Sequence, residues 1–256
     1  MAARSGRPGR SWYGGSFPVF AALVGLLGAA CGDITTSDAE RGSGEQSTDT
    51  RSVGAFERVV LAGEGQVLFA TGPDGFIEIV TDDNLVEFIE TDVSGSTLTI
   101  STEQNVDIDP TADVIYRLGC PELTEVVLTG AGSIDLAGCA TTAELELELT
   151  GAGSIMAKDL NVSRVHASVP GVGSIVASGT TDRLDVVLAG AGDFEGADLQ
   201  ATDADVESLG VGQVTVWATD NLDIELLGVG QVRYYGQPAV EETIAGVGRV
   251  ESLGPK

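Results

Sequence analysis

Residues 145–157 read LELELTGAGSIMA, and the pattern of that stretch decides the fold. Leu145, Leu147, Leu149, Gly151, Gly153 and Ile155 share one phase of a two-residue alternation, with Glu146, Glu148 and Thr150 on the other. A period of two places successive side chains on opposite faces of a strand. The alternation runs through the glycine pair unbroken. Glycines on the inward phase therefore mark a sharp corner, where inward side chains of two strands would otherwise collide.

The unit recurs. Gly-x-Gly stands at 130–132, 151–153, 171–173, 190–192, 210–212, 228–230 and 246–248, at intervals of 21, 20, 19, 20, 18 and 18 residues. An earlier copy, Gly63–Gly65, precedes the first by 67 residues, about three periods. The same alternation surrounds other copies, as in Val126, Leu128, Gly130, Gly132, Ile134, Leu136 and in Leu184, Val186, Leu188, Gly190, Gly192, Phe194. Each repeat supplies two or three short strands separated by bends. Stacked about 4.8 Å apart, every strand pairs with its copy in the next turn. One turn cannot bury its own apolar side, so several must stack. The expected fold is all-β, a parallel β-solenoid (β-helix) over 126–253. A phosphate-binding loop is excluded, because no Lys-Ser/Thr and no helical pattern follows the glycines.

Composition agrees. Aromatic residues are 5% of the 256, so the core must come from the Val, Ile and Leu within the 43% apolar fraction. A formal charge of −26 argues against nucleic acid or an anionic membrane surface as partner. It is compatible with cation binding or with solubility alone.

The flanks carry export signals. Arg4, Arg7 and Arg10 precede the apolar run Phe17–Ala30, which is too short to span a membrane comfortably and suits a signal segment over 1–30. Gly28-Ala29-Ala30-Cys31 resembles a relaxed bacterial lipobox, in which Cys31 is acylated and becomes the new N-terminus. Cleavage after Ala30 without acylation is the alternative, leaving a secreted or periplasmic protein. Gly32 after the cysteine fits the sorting pattern of outer-membrane lipoproteins. Residues 31–53 are polar and aperiodic and read as a flexible tether, with the folded domain over 54–256. Within it, 66–118 is less regular. Phe76–Thr81 and Thr97–Ser101 read as strands, and Asp82–Glu90 as a short helix begun by an aspartate cap. The region is expected to cover the N-terminal end of the solenoid, whose open edge would be adhesive.

The phrases VVLTGAGSIDL (126–136), LELELTGAGSIMA (145–157), DVVLAGAGDFEG (185–196) and LDIELLGVGQVRYYGQPAV (222–240) together resemble the head GIN domain family. FERVVLAGEGQVLFATG (56–72) and DDNLVEFIETDVSGSTLTI (82–100) extend the likeness across about 55–252. That family comprises bacterial, often lipid-anchored proteins labelled as auto-transporter adhesins. The resemblance implies a right-handed β-helix and a surface location, and points towards adhesion. It transfers no catalytic residues.

Three sets of residues are candidates for special roles. Cys120 and Cys139 each follow a glycine, 10 and 12 residues before a Gly-x-Gly, and so fall at about the same place in successive turns. An exported chain allows a disulfide there, and two buried thiols one turn apart are the alternative. Five residues before each Gly-x-Gly lies an outward column: Glu125, Glu146, His166, Asp185, Asp205, Asp223 and Glu241. Carboxylates at one-turn spacing repel, so a divalent cation such as Ca²⁺ could bridge them, or they form a solvated acidic face. Five residues after each second glycine lies Ala137, Lys158, Ser178, Ala197, Trp217, Tyr235 and Leu253. There Trp217 and Tyr235 form an exposed partner patch or lie beneath a terminal cap.

The resulting expectation is a non-enzymatic, lipid-anchored envelope protein whose partners are the membrane and a surface glycan or protein. A carbohydrate-binding or polysaccharide-acting β-helix is the second reading, and a homo-oligomer stays open.

Overall fold

The computed structural model describes residues 39–70, 75–136, 139 and 141–256. The expected signal segment, Cys31 and Ala137 lie outside them. The chain enters through β1 (Glu40–Arg41) and β2 (Gln46–Ser52), then forms β3 (Arg58–Leu61) and β4 (Glu64–Phe69). It continues through β5 (Phe76–Asp82), a 3₁₀ turn at Val86–Phe88, β6 (Ile89–Ser94), β7 (Thr97–Thr102), β8 (Ile108–Asp109) and β9 (Ile115–Leu118). The regular turns follow as β10 (Leu123–Leu128), β11 (Ala131–Asp135), β12 (Thr141–Leu149), β13 (Ala152–Val169) and β14 (Val172–Leu188). They end with β15 (Ala191–Ser208), β16 (Val211–Leu226), β17 (Val229–Tyr235), β18 (Ala239–Ile244) and β19 (Val247–Gly254).

From β10 onward every recorded turn-to-turn pairing is parallel, so the fold is the β-solenoid that the repeat implies. Identical positions stack. One inward column is Val67, Ile134, Ile155, Ile175, Phe194, Val214 and Val232, all with no exposed surface. A second is Val59, Val126, Leu147, Ala167, Val186, Val206 and Ile224. Burying one such Val or Ile stabilises the fold by roughly 1.5–3 kcal/mol relative to exposure. The columns thus supply the cohesion that no single turn has. Phe194 is the large exception in its column. Gly196 makes room for it, since a Cβ there would lie 2.6 Å from the ring.

The glycines turn the corner for a different reason from the one expected. They are half-buried, and a Cβ on Gly153 would stand 1.8 Å from the carbonyl oxygen of Gly132 in the turn beneath. The collision avoided is with neighbouring backbone along the stacking axis, not with inward side chains. The bend sits at the first glycine of each pair, while the second lies one residue into the next strand. The strands are also longer than two or three short pieces per turn. β13 to β16 run 18, 17, 18 and 16 residues, because parallel pairing resumes after a second bend marked only by register shifts.

The lower end departs most from simple periodicity. Gly63–Gly65 lies one turn below Gly130–Gly132, not three, since Gly65 is the register partner of Gly132. Segment 66–118 builds no regular turns above it. Instead β7 and β9 pair parallel beneath β3 and β4, and β6 and β5 lie antiparallel against β7 and β9. This closes the N-terminal end with reversed strands, a way of blunting a parallel edge. The chain then returns past β3 to place β10 on its other side.

Two local expectations are corrected. The tether expected over 31–53 is folded from Glu40 onward, where β1 pairs with β8 and β2 runs antiparallel along β5. That pairing is made by backbone, so it needs no apolar pattern. Arg51 secures it, donating to the carbonyls of Ile89 at 2.6 Å and Val86 at 3.0 Å. The helix expected over Asp82–Glu90 is only the 3₁₀ turn, and Asp82 does not cap it. Its carboxylate accepts from Gly44 N, Thr111 N and Thr111 Oγ1 at 2.8, 2.8 and 2.7 Å, binding the entering chain to the cap. These bonds hold its pKa below the usual carboxylate value, the Thr111 hydroxyl contributing most.

Candidate functional site

The outer face of β10, β12 and the strand segments stacked on them presents the charged column as an unbroken ladder. Glu125 pairs with Glu146, Glu146 with His166, His166 with Asp185, Asp185 with Asp205, Asp205 with Asp223, and Asp223 with Glu241. Regular hydrogen bonding between parallel turns fixes this register, so one-turn spacing is a property of the backbone.

The structure brings cations to this column. Arg58 is the rung beneath Glu125, its guanidinium 3.7 Å from that carboxylate. Arg164 and Arg183 occupy a second column two residues earlier, stacked on Glu144 and followed by Asp203. Both point their Nε at Asp185, at 3.2 and 2.9 Å, and Arg183 also reaches Asp205 at 3.8 Å. Asp185 is thus held by two arginines from adjacent turns. The Asp185 hydrogen bond raises the pKa of Arg183 further. Counting two residues back from His166 and Asp185 would have found both arginines in the sequence.

At the lower end the balance reverses. Burial, with repulsion from Glu146 and Glu148, raises the pKa of Glu125 against the attraction of Arg58. Glu125, Glu144, Glu146, Arg58, Arg164 and His166 line a shallow depression of about 480 Å³. Among the described residues no three His, Cys, Asp or Glu side chains converge as a metal site. The counter-charges the fold supplies to this face are arginines.

Cys120 and Cys139 form a disulfide with Cα atoms 5.1 Å apart. Cys120 lies in the connection that brings the chain back to β10, and Cys139 in the one that feeds β12. The bond therefore ties the return of the chain to the first regular turn.

The aromatic column holds only in part. Trp217 and Tyr235 are register partners. Below them the ladder slips. Ser178 pairs with Asp198 rather than Ala197, and Trp217 pairs with Gln200. Above, Tyr235 meets Gly254 rather than Leu253. Bulges in successive turns differ in length, so fixed counting from the glycines fails past the second bend. Both rings are half-buried, and Lys256 lies over them with its Nζ 5.2 Å from each centroid. The patch is therefore covered by the segment after β19. Sequence reasoning missed this lysine, since its contacts depend on where the chain turns after Gly254.

A family model described as "Putative auto-transporter adhesin, head GIN domain" matches residues 55–238. The chain belongs to the head GIN domain family. The match opens one residue before Phe56 of the buried core and ends just before β18, so it takes in the cap and most of the solenoid. Solved structures share this fold. A "putative adhesin" from Bacteroides fragilis NCTC 9343 is 25% identical over 83% of this chain and 99% of its own, with a TM-score of 0.77. A "putative adhesin" from Parabacteroides distasonis ATCC 8503 is 24% identical over 84% and 100%, with a TM-score of 0.67. From the same organism, a "putative lipid binding protein" is 22% identical over 83% and 98%, also at 0.67. Comparison with curated proteins gives no match.

Proposed function

We propose that this GIN domain is a non-enzymatic binding module of the bacterial envelope, exported by residues 1–30, anchored by a lipid on Cys31 and exposed for adhesion. The charged ladder from Arg58 to Glu241 is the observation that carries this reading. It offers a rigid, flat array of ionic groups at one-turn spacing. Such an array suits recognition of an extended partner, because each rung is positioned by backbone pairing rather than by a loop. Turnover needs groups that converge on one reacting atom, whereas these carboxylates are spread one per turn, with Glu125, Asp185 and Asp205 drawn into ion pairs with arginines. Membership in a family described as adhesins supports the same reading.

Protease treatment of intact cells tests it directly. Cleavage of the protein without permeabilising the envelope is the expected result. Protection until the outer membrane is opened would place the protein inside and remove adhesion. Metabolic labelling with a fatty acid, lost in Cys31→Ala, tests the anchor separately.

A further inference from the structure

The ammonium of Lys256 is held by four groups of three kinds. Its Nζ donates to the carbonyl oxygen of Ala197 at 2.6 Å, pairs with the carboxylate of Asp198, and faces the rings of Trp217 and Tyr235 at 5.2 Å each. These groups come from three successive turns. The bulge between β15 and β16 brings them together. Pairing jumps from Glu195–Thr215 to Gln200–Trp217, so Gly196–Leu199 are left out of the ladder on that side. A bulge frees backbone groups from the neighbouring strand, and the Ala197 carbonyl is the one that Lys256 uses.

The backbone that carries the other members is set without Lys256. Trp217 and Tyr235 are fixed as adjacent rungs by register, and Asp198 pairs with Ser178 below. A –NH₃⁺ group has three donors and no acceptor, and the face of an aromatic ring attracts a cation. A carbonyl, a carboxylate and two ring faces around one point match those needs. We infer that Ala197, Asp198, Trp217 and Tyr235 form a recognition cage for a protonated primary amine of the lysine side-chain type, which Lys256 fills from within the same chain. Lys256 is the resident competitor, and a lysine of a partner protein enters by displacing it. The inference goes beyond the adhesive reading and does not depend on where the protein resides.

The chain carrying Trp12→Phe, in which Trp217 is the sole tryptophan whether or not residues 1–30 are removed, allows a fluorescence titration with Nα-acetyl-lysine methylamide. With Lys256→Met added, the cage has lost its resident cation. The expected result is a saturable change in Trp217 emission, with affinity at least roughly tenfold above that of the chain keeping Lys256. The isosteric uncharged probe, Nα-acetyl-norleucine methylamide, should give none. Asp198→Asn in the same background should weaken the lysine probe. No saturable change in folded Lys256→Met, or an equal response to the norleucine probe, would overturn the inference and leave Lys256 as a structural pin. Should Lys256→Met not fold, Lys256→Gln, which retains a donor for Ala197, is read by the same outcomes.

Discussion

Gly132 is the direct register partner of Gly65, although the two are 67 positions apart in the chain. The intervening segment goes down before it comes back up. It builds the turn beneath β3 and β4, closes that end with antiparallel strands, and returns to lay β10 above. The regular turns need only local winding, but this end needs contacts distant in sequence, which form slowly because loop closure costs entropy first.

The disulfide should matter most at that return. Replacing both Cys120 and Cys139 by Ala removes a link across 19 residues of sequence. The chain-entropy estimate for a loop of this size is about 3 kcal/mol. Denaturant unfolding should show that loss, and refolding of the variant should slow.

Gly173→Ala should be far more damaging than its one methyl suggests. The new Cβ would sit 1.8 Å from the carbonyl oxygen of Gly153, and φ there is 141°. Backbone on both sides cannot yield without breaking the ladder, so a loss of more than about 3 kcal/mol is expected. Thermal melting measures it. Gly44→Ala is the control for backbone strain, since its Cβ would have no heavy atom within 4 Å.

Acid should loosen the entering chain first. The folded-state pKa of Asp82 is lowered by its bonds to Thr111 and Gly44. Its contribution to stability is therefore complete above the unfolded value of about 3.9 and declines as pH falls below it, vanishing under the lowered folded value. Amide exchange in β2 should rise over that window. Asp82→Asn should make β2 exchange faster at pH 7 and abolish this pH dependence.

Arg183→Met should weaken the charged face in a salt-dependent way. Arg183 serves Asp185 and Asp205, and its side chain is 45% exposed. A loss of about 1 kcal/mol or less is expected at low ionic strength, fading in 1 M salt. Equal losses in both conditions would mean that packing of its stem, not charge, is what Arg183 supplies.

Calcium is expected to have little effect on stability. With arginines among the carboxylates, melting temperatures in EDTA and in millimolar Ca²⁺ should agree. A rise of several degrees in Ca²⁺ would show that the upper carboxylates, Asp223 and Glu241, capture the ion after all.

Most of the fold was legible because parallel stacking repeats one environment. Each Gly-x-Gly and each flanking Val or Leu meets its own copy, so a local pattern implies a long-range contact. The ladder from Glu125 to Glu241 follows from the same counting. The helix read at Asp82–Glu90 failed because an aspartate before an apolar run signals a cap only if its own carboxylate is free. Here Thr111 and Gly44, distant in sequence, take it. The polar stretch Gln46–Ser52 looks like a tether in sequence because backbone pairing to β5 leaves no trace in side-chain pattern.

The sequence alone determined the parallel solenoid, the position of its corners and the one-turn spacing of the charged column. Periodicity of two, running unbroken through glycine pairs spaced 18 to 21 residues apart, has few other physical solutions. Tertiary structure decided how the lower end closes, where bulges shift the second half of each turn, and what lies over Trp217 and Tyr235. Those depend on unequal bulges and on chain paths that cross dozens of residues, and neither leaves a regular signal in the order of amino acids.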